Sequence, residues 1–246
     1  MTVMTIRRFI LTFSLLLPMV MMAAQKQDVF TAPSGKTVTI THIKHASVLI
    51  EYDGLNIYVD PVGNLEPKTD FSTMPKANIV LVTHEHLDHF DNLAIARLAS
   101  PATAIYANKA VNGMLHRGLV MSNGDSITYN AHIKIWAVPA YNTTVGREKF
   151  HPKGRDNGYI ISFDGLRIYL AGDTEDIPEM AELKDIDVAF LPCNQPYTMT
   201  VDQLVQAANT IKPKVLFPYH FGETPINQVP MKLIGTGIDV RIRDYK

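Results

Sequence analysis

A repeated hairpin signal constrains the fold of this chain more than any other feature. The pattern Asp-Gly-Leu-x-Ile-Tyr occurs at 53–58 and again at 164–169, each time between runs of β-forming residues. Asp-Gly between such runs predicts a tight β-hairpin. Each hairpin leads into a strand with an aspartate at its end, Asp60 in one case and Asp173 in the other. The repeat predicts two similar halves, although Asp-Gly is also common in unrelated hairpins.

Strands and helices alternate after the first hairpin. The apolar run 77–82 predicts a buried strand, and apolar periodicity predicts a helix at 92–98. A capping-box pattern at Thr200 predicts that a second helix begins there and continues to Ile211. The segment 139–157 has no periodicity and is predicted to be a long loop, which in a compact domain is often functional. Together these signals predict an α/β sandwich with mixed sheets.

Composition narrows the class of protein. The chain has 246 residues, of which 46% are hydrophobic and 19% charged, and this balance is typical of a globular protein with a sizeable core. The formal net charge is −1 and the mature region has no run of Lys and Arg, so a nucleic-acid partner is disfavoured. A small-molecule partner is the prediction. The sequence does not indicate an oligomeric state.

The N-terminus has the pattern of an export signal. Arg7 and Arg8 precede an apolar stretch at 9–20, and small residues follow at Ala23 and Ala24. We therefore predict a signal peptide at 1–24, a single domain at 25–246, and a periplasmic or secreted location. The apolar stretch is shorter than the about 20 residues that span a bilayer, so no stable membrane span is expected after cleavage. A retained anchor is the alternative.

The stretch Thr83 to Asp91 places three histidines and two aspartates directly after a buried strand. His84, His86 and His89 alternate with other residues in the pattern His-x-His-x-Asp-His, which includes Asp88. Buried charges need partners, so packing alone explains this pattern poorly. Imidazole nitrogens and carboxylate oxygens suit zinc, and also manganese or iron. The motif predicts a metal site.

Two further strand ends carry residues of the same kind. Asp173 follows Gly172 at the end of one strand, and His220 follows Tyr219 at the end of another. Each has an ordinary turn interpretation when taken alone. Together with the histidine motif they favour a shared cluster of ligands.

These features resemble the metallo-β-lactamase fold superfamily. The matching segments are 83–89, 172–174 and the late His220. More narrowly, the chain looks like the branch that contains L-ascorbate-6-phosphate lactonase and the N-acylphosphatidylethanolamine-hydrolysing phospholipase D, through segments 45–51, 59–61 and 168–174. The resemblance covers nearly all of the mature chain. It implies a four-layer αββα sandwich with two mixed sheets.

The resemblance also implies two metal positions. One position would use His84 and His86, the other Asp88, His89 and His220, and Asp173 would bridge the two. Asp60 would lie behind the ligands and orient one imidazole. His45 would lie at the rim of the cleft, where it either contacts substrate or metal or simply bonds the backbone.

One ligand of the family pattern is missing. Relatives commonly supply another His to the first metal where this chain has Tyr141 and Asn142. His151, in the predicted long loop, is the candidate substitute. If it does not serve, the first metal keeps His84, His86, Asp173 and water, and a one-metal enzyme becomes the alternative.

The implied reaction is metal-dependent hydrolysis. A metal lowers the pKa of bound water, and the resulting hydroxide attacks a carbonyl or phosphoryl centre, with Asp88 or a metal-bound water handling the proton. A lactone, ester or amide is the leading substrate class. A phosphodiesterase is the first alternative, and a non-catalytic metal-containing binding or sensor domain is the second. Polar side chains of the expected rim are candidates for orienting the substrate: Tyr141, Asn142, Lys153, Arg155, Asn194 and Gln195.

Overall fold

The computed structural model describes residues 26–245. The predicted signal peptide at 1–24 lies outside these residues. Within them, the N-terminal half forms one seven-stranded sheet whose strands follow the order of the chain. Its strands are β1 (Gln27–Thr31), β2 (Thr37–Lys44), β3 (Ser47–Tyr52), β4 (Leu55–Val59), β5 (Ile79–Val82), β6 (Ala104–Ala107) and β7 (Leu119–Val120).

The C-terminal half of the described chain forms a second seven-stranded sheet, again in chain order. Its strands are β8 (Ser126–Thr128), β9 (Ile133–Ala140), β10 (Asp156–Phe163), β11 (Leu166–Leu170), β12 (Val188–Pro192), β13 (Val215–Tyr219) and β14 (Asp239–Val240). The helices are α1 (Asn92–Leu98), α2 (Lys109–Leu115), α3 (Val201–Ile211) and α4 (Val229–Lys232), with short 3-10 helices at Phe71–Thr73, Pro178–Glu182 and Ile226–Gln228.

The two sheets have the same pattern of strand directions. In each, the first four strands pair antiparallel and the last three are added in parallel. The repeated hairpins are β3–β4 and β10–β11, and they occupy equivalent places. The prediction of two similar halves is therefore confirmed by the topology.

Four layers follow from how the apolar side chains pack. The largest core cluster joins the inner faces of the two sheets, with Ile50 and Leu81 from the first and Phe190 and Phe217 from the second. A second cluster packs α3 and α4 on the outer face of the second sheet, and a third packs α1 and α2 on the outer face of the first. The protein is thus an αββα sandwich with two mixed sheets, as the sequence predicts.

The parallel strands are covered on both faces. All residues of β5, β12 and β13 are buried, which is why they appear in the sequence as continuous apolar runs. By contrast β2 alternates buried and partly exposed residues. The capping box at Thr200 is present, and its side chain accepts a hydrogen bond from the backbone of Gln203.

Several predicted boundaries need correction. The predicted loop 139–157 is shorter, because β9 continues to Ala140 and β10 begins at Asp156. The two extensions pair with each other, with Asp156 opposite Ala140. Backbone hydrogen bonds between the two strands therefore hold residues whose sequence shows no strand pattern. The edge strand β1 is not predicted from the sequence, because it forms through its pairing with β2. In the described part of the chain, no helix has the length and apolarity needed to cross a bilayer.

Candidate metal centre

The candidate site lies at one edge of the sandwich, where strands of both sheets end. The predicted ligands follow β5, β11 and β13, and His45 lies in the turn between β2 and β3. The backbone turns sharply here, since His45 and His220 have φ values of 49° and 46°. Gly172 has φ 65°, and a Cβ there would lie 2.9 Å from the carbonyl oxygen of Asn157, so this position requires glycine. The topology thus brings together residues far apart in sequence.

Three imidazoles form the first ligand group, which we call the loop group: His84, His86 and His151. The Nε2 atom of His84 lies 3.0 Å from Nδ1 of His86, and Nε2 of His151 lies 3.2 Å from that same Nδ1. One ligand atom from each lies within 4.8 Å of the others. His151 therefore lies beside His84 and His86, where the three imidazoles could together hold one ion.

Four side chains form the second ligand group, which we call the strand group: His45, Asp88, His89 and His220. The Oδ2 atom of Asp88 lies 3.1 Å from Nε2 of His45 and 3.2 Å from Nε2 of His220. The rings of His45 and His220 are in contact, with centroids 3.9 Å apart. His45 is thus within the cluster, and its ring does not simply bond the backbone.

Asp173 lies between the two groups. Its carboxylate oxygens are 3.1 Å from Nε2 of His89, 3.3 Å from Nε2 of His151 and 3.4 Å from Nε2 of His220. The Nε2 atom of His84 is farther away, at 4.0 Å. A carboxylate in this position can bridge two cations, one in each group.

The unpaired polar atoms of the cluster fit a metal. Nε2 of His89 and Oδ1 of Asp173 are buried and 3.1 Å apart, yet neither makes a hydrogen bond. A buried polar atom without a partner costs about 1–3 kcal/mol, and a cation held between the two groups would give both atoms a partner. A donor set of imidazoles and carboxylates suits zinc, with manganese and iron as alternatives.

Burial and mutual charge set the protonation of the cluster. Burial and the neighbouring His89 hold the pKa of His84 well below its usual value, and burial lowers the pKa of His151 to about 4. Burial opposes ionisation of Asp173, but the imidazoles of His220 and His89 outweigh it and hold the Asp173 pKa well below its usual range. Burial opposes protonation of His89, but the carboxylates of Asp173 and Asp60 outweigh it and hold the His89 pKa well above its usual value. Neutral imidazole and ionised carboxylate are the forms that bind metal, so an ion bound by His89 would displace the proton that these carboxylates favour.

Asp60 orients the imidazole of His89 from behind. Its Oδ2 accepts a hydrogen bond from Nδ1 of His89 at 2.8 Å and from the Thr83 hydroxyl at 2.7 Å, and its Oδ1 accepts from the Thr83 amide at 2.8 Å. This arrangement leaves Nε2 of His89 directed at Asp173. The structure thus places Asp60 where the resemblance implies. The sequence does not indicate the Thr83 hydrogen bonds, except that Thr83 directly precedes the histidine motif.

Asn142 holds His151 in the cluster. Nδ1 of His151 donates to the Asn142 side-chain oxygen at 2.6 Å, and the Asn142 amide donates to the carbonyl of His151 at 2.9 Å. The side-chain NH2 of Asn142 donates to the carbonyl of Tyr197 at 2.8 Å. Asn142 therefore positions the imidazole of His151 beside His84 and His86.

Glu175 fixes the start of the loop that carries His151. Its fully buried carboxylate accepts hydrogen bonds from the amides of Thr143 and Thr144, at 2.8 and 2.6 Å, and from the Thr143 hydroxyl at 2.9 Å. Sequence reasoning misses this role. The sequence signal for this role is an acidic residue two positions after Asp173, together with the adjacent hydroxyl side chains of Thr143 and Thr144.

Arg155 connects the end of the same loop to the histidine motif. It binds Asp156 through two hydrogen bonds of 2.8 Å each, and its guanidinium lies 3.3 Å from the carboxylate of Glu85, between His84 and His86. Several residues considered for orienting a substrate have side-chain partners within the protein: Lys153 and Tyr141 contact Glu179, and Gln195 contacts the carbonyl of Thr198. Their roles towards a substrate stay predictions.

Comparison with known proteins identifies the family. Residues 39–220 match the beta-lactamase superfamily domain. The chain is 30% identical over 198 residues to a UPF0173 metal-dependent hydrolase of Exiguobacterium sp., covering 76% of this chain and 88% of that protein. A second UPF0173 metal-dependent hydrolase, from Methanopyrus kandleri, is 31% identical over 218 residues, which covers 82% of this chain and 94% of that one.

Solved structures agree with the sequence match. A Parabacteroides distasonis protein assigned as a metal-dependent hydrolase superposes with a TM-score of 0.87 and 54% identity, covering 91% of this chain and 100% of that one. The metallo hydrolase Igni18 from Ignicoccus hospitalis superposes with a TM-score of 0.71 and 26% identity, covering 84% of this chain and 95% of that one. The chain therefore belongs to the beta-lactamase superfamily and is a metal-dependent hydrolase.

Proposed function

We propose that this hydrolase is exported and cleaves a lactone, ester or amide bond in a small molecule, using two zinc ions. The observation that supports two ions is the position of His151. With it, the loop group has three imidazoles and the strand group has three imidazoles and a carboxylate, with Asp173 between them. A site for one ion would leave one of these two groups of donor atoms without a metal to bind.

The chain's own side chains divide the work in this proposal. Asp173 is 3% exposed and belongs to the interior of the cluster, whereas the Asp88 side chain is 36% exposed and reaches solvent. Asp88 is therefore the side chain placed to accept a proton from attacking water. A bound zinc ion would supply a polarising charge and bring the pKa of a water ligand to about 7.

His45 lies beside Asp88 at the partly exposed side of the strand group. Its side chain is 20% exposed, and its Nε2 contacts Asp88. In this position it can donate a hydrogen bond to the Asp88 carboxylate and contact a substrate bound beside it. Export rests on the predicted signal peptide at 1–24, and it places the substrate outside the cytoplasm.

Substrate panels test the proposed reaction. The metal-loaded protein should hydrolyse at least one lactone, ester or amide, lose that activity on chelation, and regain it when zinc is added. Asp88→Ala should reduce turnover while retaining the loop-group ion. This variant serves as the blank for contaminating enzymes. Turnover of phosphodiesters alone would replace the proposal with the phosphodiesterase alternative. Turnover of β-lactams alone would support the amide part of the proposal, because a β-lactam is a cyclic amide, and would exclude lactones and esters.

Localisation is tested separately. Expression of the full chain with its own N-terminus should give a mature protein in the exported fraction, with its first residue near position 25 by mass spectrometry. An uncleaved protein in the membrane fraction would support the retained anchor. An uncleaved protein in the cytosol would overturn the export proposal.

A further inference from the structure

The backbone amide of Gly172, directly before the bridging carboxylate, has an unusual hydrogen-bond acceptor. Its neighbour Ala171 still donates to the backbone carbonyl of Phe190 in β12, at 3.1 Å. At Gly172 the backbone turns, with φ 65°, and the amide donates instead to the side-chain hydroxyl of Tyr219 at 2.8 Å. Gly172 is buried, and a buried amide without an acceptor is costly, so this hydrogen bond supports the turn.

The hydroxyl of Tyr219 reaches Gly172 from two strands away and is fixed by the core. Tyr219 ends β13, and β12 lies between that strand and β11. The ring of Tyr219 packs edge to face on Phe190 of β12, with centroids 5.7 Å apart, and on Tyr245 at 6.4 Å. Its side chain is buried. The acceptor of the Gly172 amide is therefore held by packing between the sheets.

Each partner of this hydrogen bond immediately precedes a candidate metal ligand. Gly172 precedes Asp173, and Tyr219 precedes His220. The Oδ2 atom of Asp173 lies 3.4 Å from Nε2 of His220, so the two segments also meet at the site. One hydrogen bond thus joins the backbone before the bridging carboxylate to the strand end that carries an imidazole. A rotation of the peptide before Asp173 would move its carboxylate relative to both ligand groups.

We propose that Tyr219 is a positioning residue of the metal centre: its hydroxyl fixes the peptide of Gly172 and thereby aims the Asp173 carboxylate between the loop group and the strand group. Asp60 and Asn142 each hold one imidazole, whereas Tyr219 acts on a carboxylate that serves both groups. The inference rests on the proposed function for its two zinc ions. The hydrogen bond itself can be tested without metal.

Tyr219→Phe tests the proposal, because it removes the hydroxyl and keeps the ring. Competition of the full chain with a chromogenic chelator should show that zinc affinity falls about 10-fold at both groups, within the range that loss of an outer partner of a ligand costs. A purely structural role would lower the thermal midpoint of unfolding and leave both affinities unchanged. Unchanged affinities, or a fall confined to one group, would overturn the positioning role.

The second sheet offers a matched control in Tyr169→Phe. Tyr169 lies in β11 and is fully buried, and its hydroxyl makes no hydrogen bond within the described residues. Removing this hydroxyl should leave zinc affinity unchanged at both groups. An equal fall in Tyr169→Phe and Tyr219→Phe would show that the contact with Gly172 is not what matters, and it would overturn the proposal.

Amide hydrogen exchange separates this inference from the proposed function. In the full chain, measured by NMR with and without zinc, the Gly172 amide should exchange slowly, and it should exchange faster in Tyr219→Phe but not in Tyr169→Phe. If the unchanged protein binds fewer than two zinc ions, the two-zinc proposal fails, and exchange still decides whether Tyr219 holds the peptide before Asp173. Fast exchange at Gly172 in the unchanged protein would overturn the inference, even if Tyr219→Phe does not fold.

Discussion

The two halves of this molecule share a strand pattern and differ in how they place the candidate ligands of the metal centre. The N-terminal half supplies most of its ligands from one turn after β5, within residues 84–89, and orients His89 with the buried carboxylate of Asp60. The C-terminal half supplies Asp173 and His220 from two separate strand ends and His151 from a loop. Equivalent topology therefore does not mean equivalent sites.

The difference lies in what holds each ligand. The imidazole of His89 is fixed by a short path through Asp60 and Thr83, both buried at strand ends. His151 depends on contacts spread along 141–156, including its own hydrogen bond to Asn142 and the hydrogen bond from the Thr143 amide to Glu175. We infer that the loop group is the more sensitive of the two to changes at a distance from the metal.

The largest expected effect comes from Asp173, which belongs to both halves of the site. Asp173→Ala should lose metal from both groups, because its carboxylate contacts His89, His151 and His220. Activity should fall by more than the about 100-fold that removal of an outer partner of a ligand costs. Metal analysis after dialysis against buffered zinc measures this, with the exposed Asp202→Asn as control. Full occupancy in Asp173→Ala would remove the bridging role.

A matched pair of histidine variants separates the two groups. His86→Ala and His151→Ala should each reduce the zinc content by one ion and leave the strand group filled, since both lie in the loop group. His132→Ala, at the opposite end of the sandwich where His132 pairs with Asp164, should change nothing. If His151→Ala keeps the metal content and affinity of the unchanged protein, His151 is not a ligand.

A smaller effect is expected at Asp60. Asp60→Asn removes the negative charge that orients His89, and asparagine tolerates the left-handed backbone at this position, where φ is 44°. Affinity of the strand group for zinc should fall about 10- to 100-fold. Competition with a chromogenic chelator gives the two affinities separately. An equal fall in both groups would contradict the assignment of Asp60 to His89 alone.

The smallest effect on metal binding is expected at Glu175, where the loop group and the strand group should respond differently. Glu175→Gln places an amide among three donors from Thr143 and Thr144, so the unfolding free energy should fall by about 1–3 kcal/mol. Zinc affinity should fall several-fold at the loop group and stay constant at the strand group. A variant with lower stability but unchanged affinity at both groups would show that Glu175 does not position His151.

The contiguous part of the site could be predicted from its own short pattern, Asp173 and His220 from their places at strand ends, and Asp60 through the family resemblance, whereas the position of His151 could only be named as a candidate. His84, His86, Asp88 and His89 fall in one short pattern, because a single turn delivers them. The position of His151 depends on Asn142 and Glu175, whose hydrogen bonds form only when β9, β10 and β11 pair. The sandwich itself was predictable, since buried parallel strands and Asp-Gly hairpins both leave local signals, whereas β1 forms only by pairing with β2.

The branch within the superfamily, the metal and the signal peptide stay predictions. Each depends on something other than the fold: a bound substrate, an ion, or processing of residues outside 26–245. Sequence patterns near the strand ends resemble the lactonase branch, and a panel of candidate substrates would test that resemblance.

The most direct test of the central claim is a crystal structure of the zinc-loaded full chain, with ions located by anomalous scattering at the zinc edge. The account predicts two ions, one in each group, with Asp173 contacting both and Nε2 of His151 about 2.0–2.1 Å from the loop-group ion. A single ion in the strand group, with His151 turned away from His84 and His86, would contradict it.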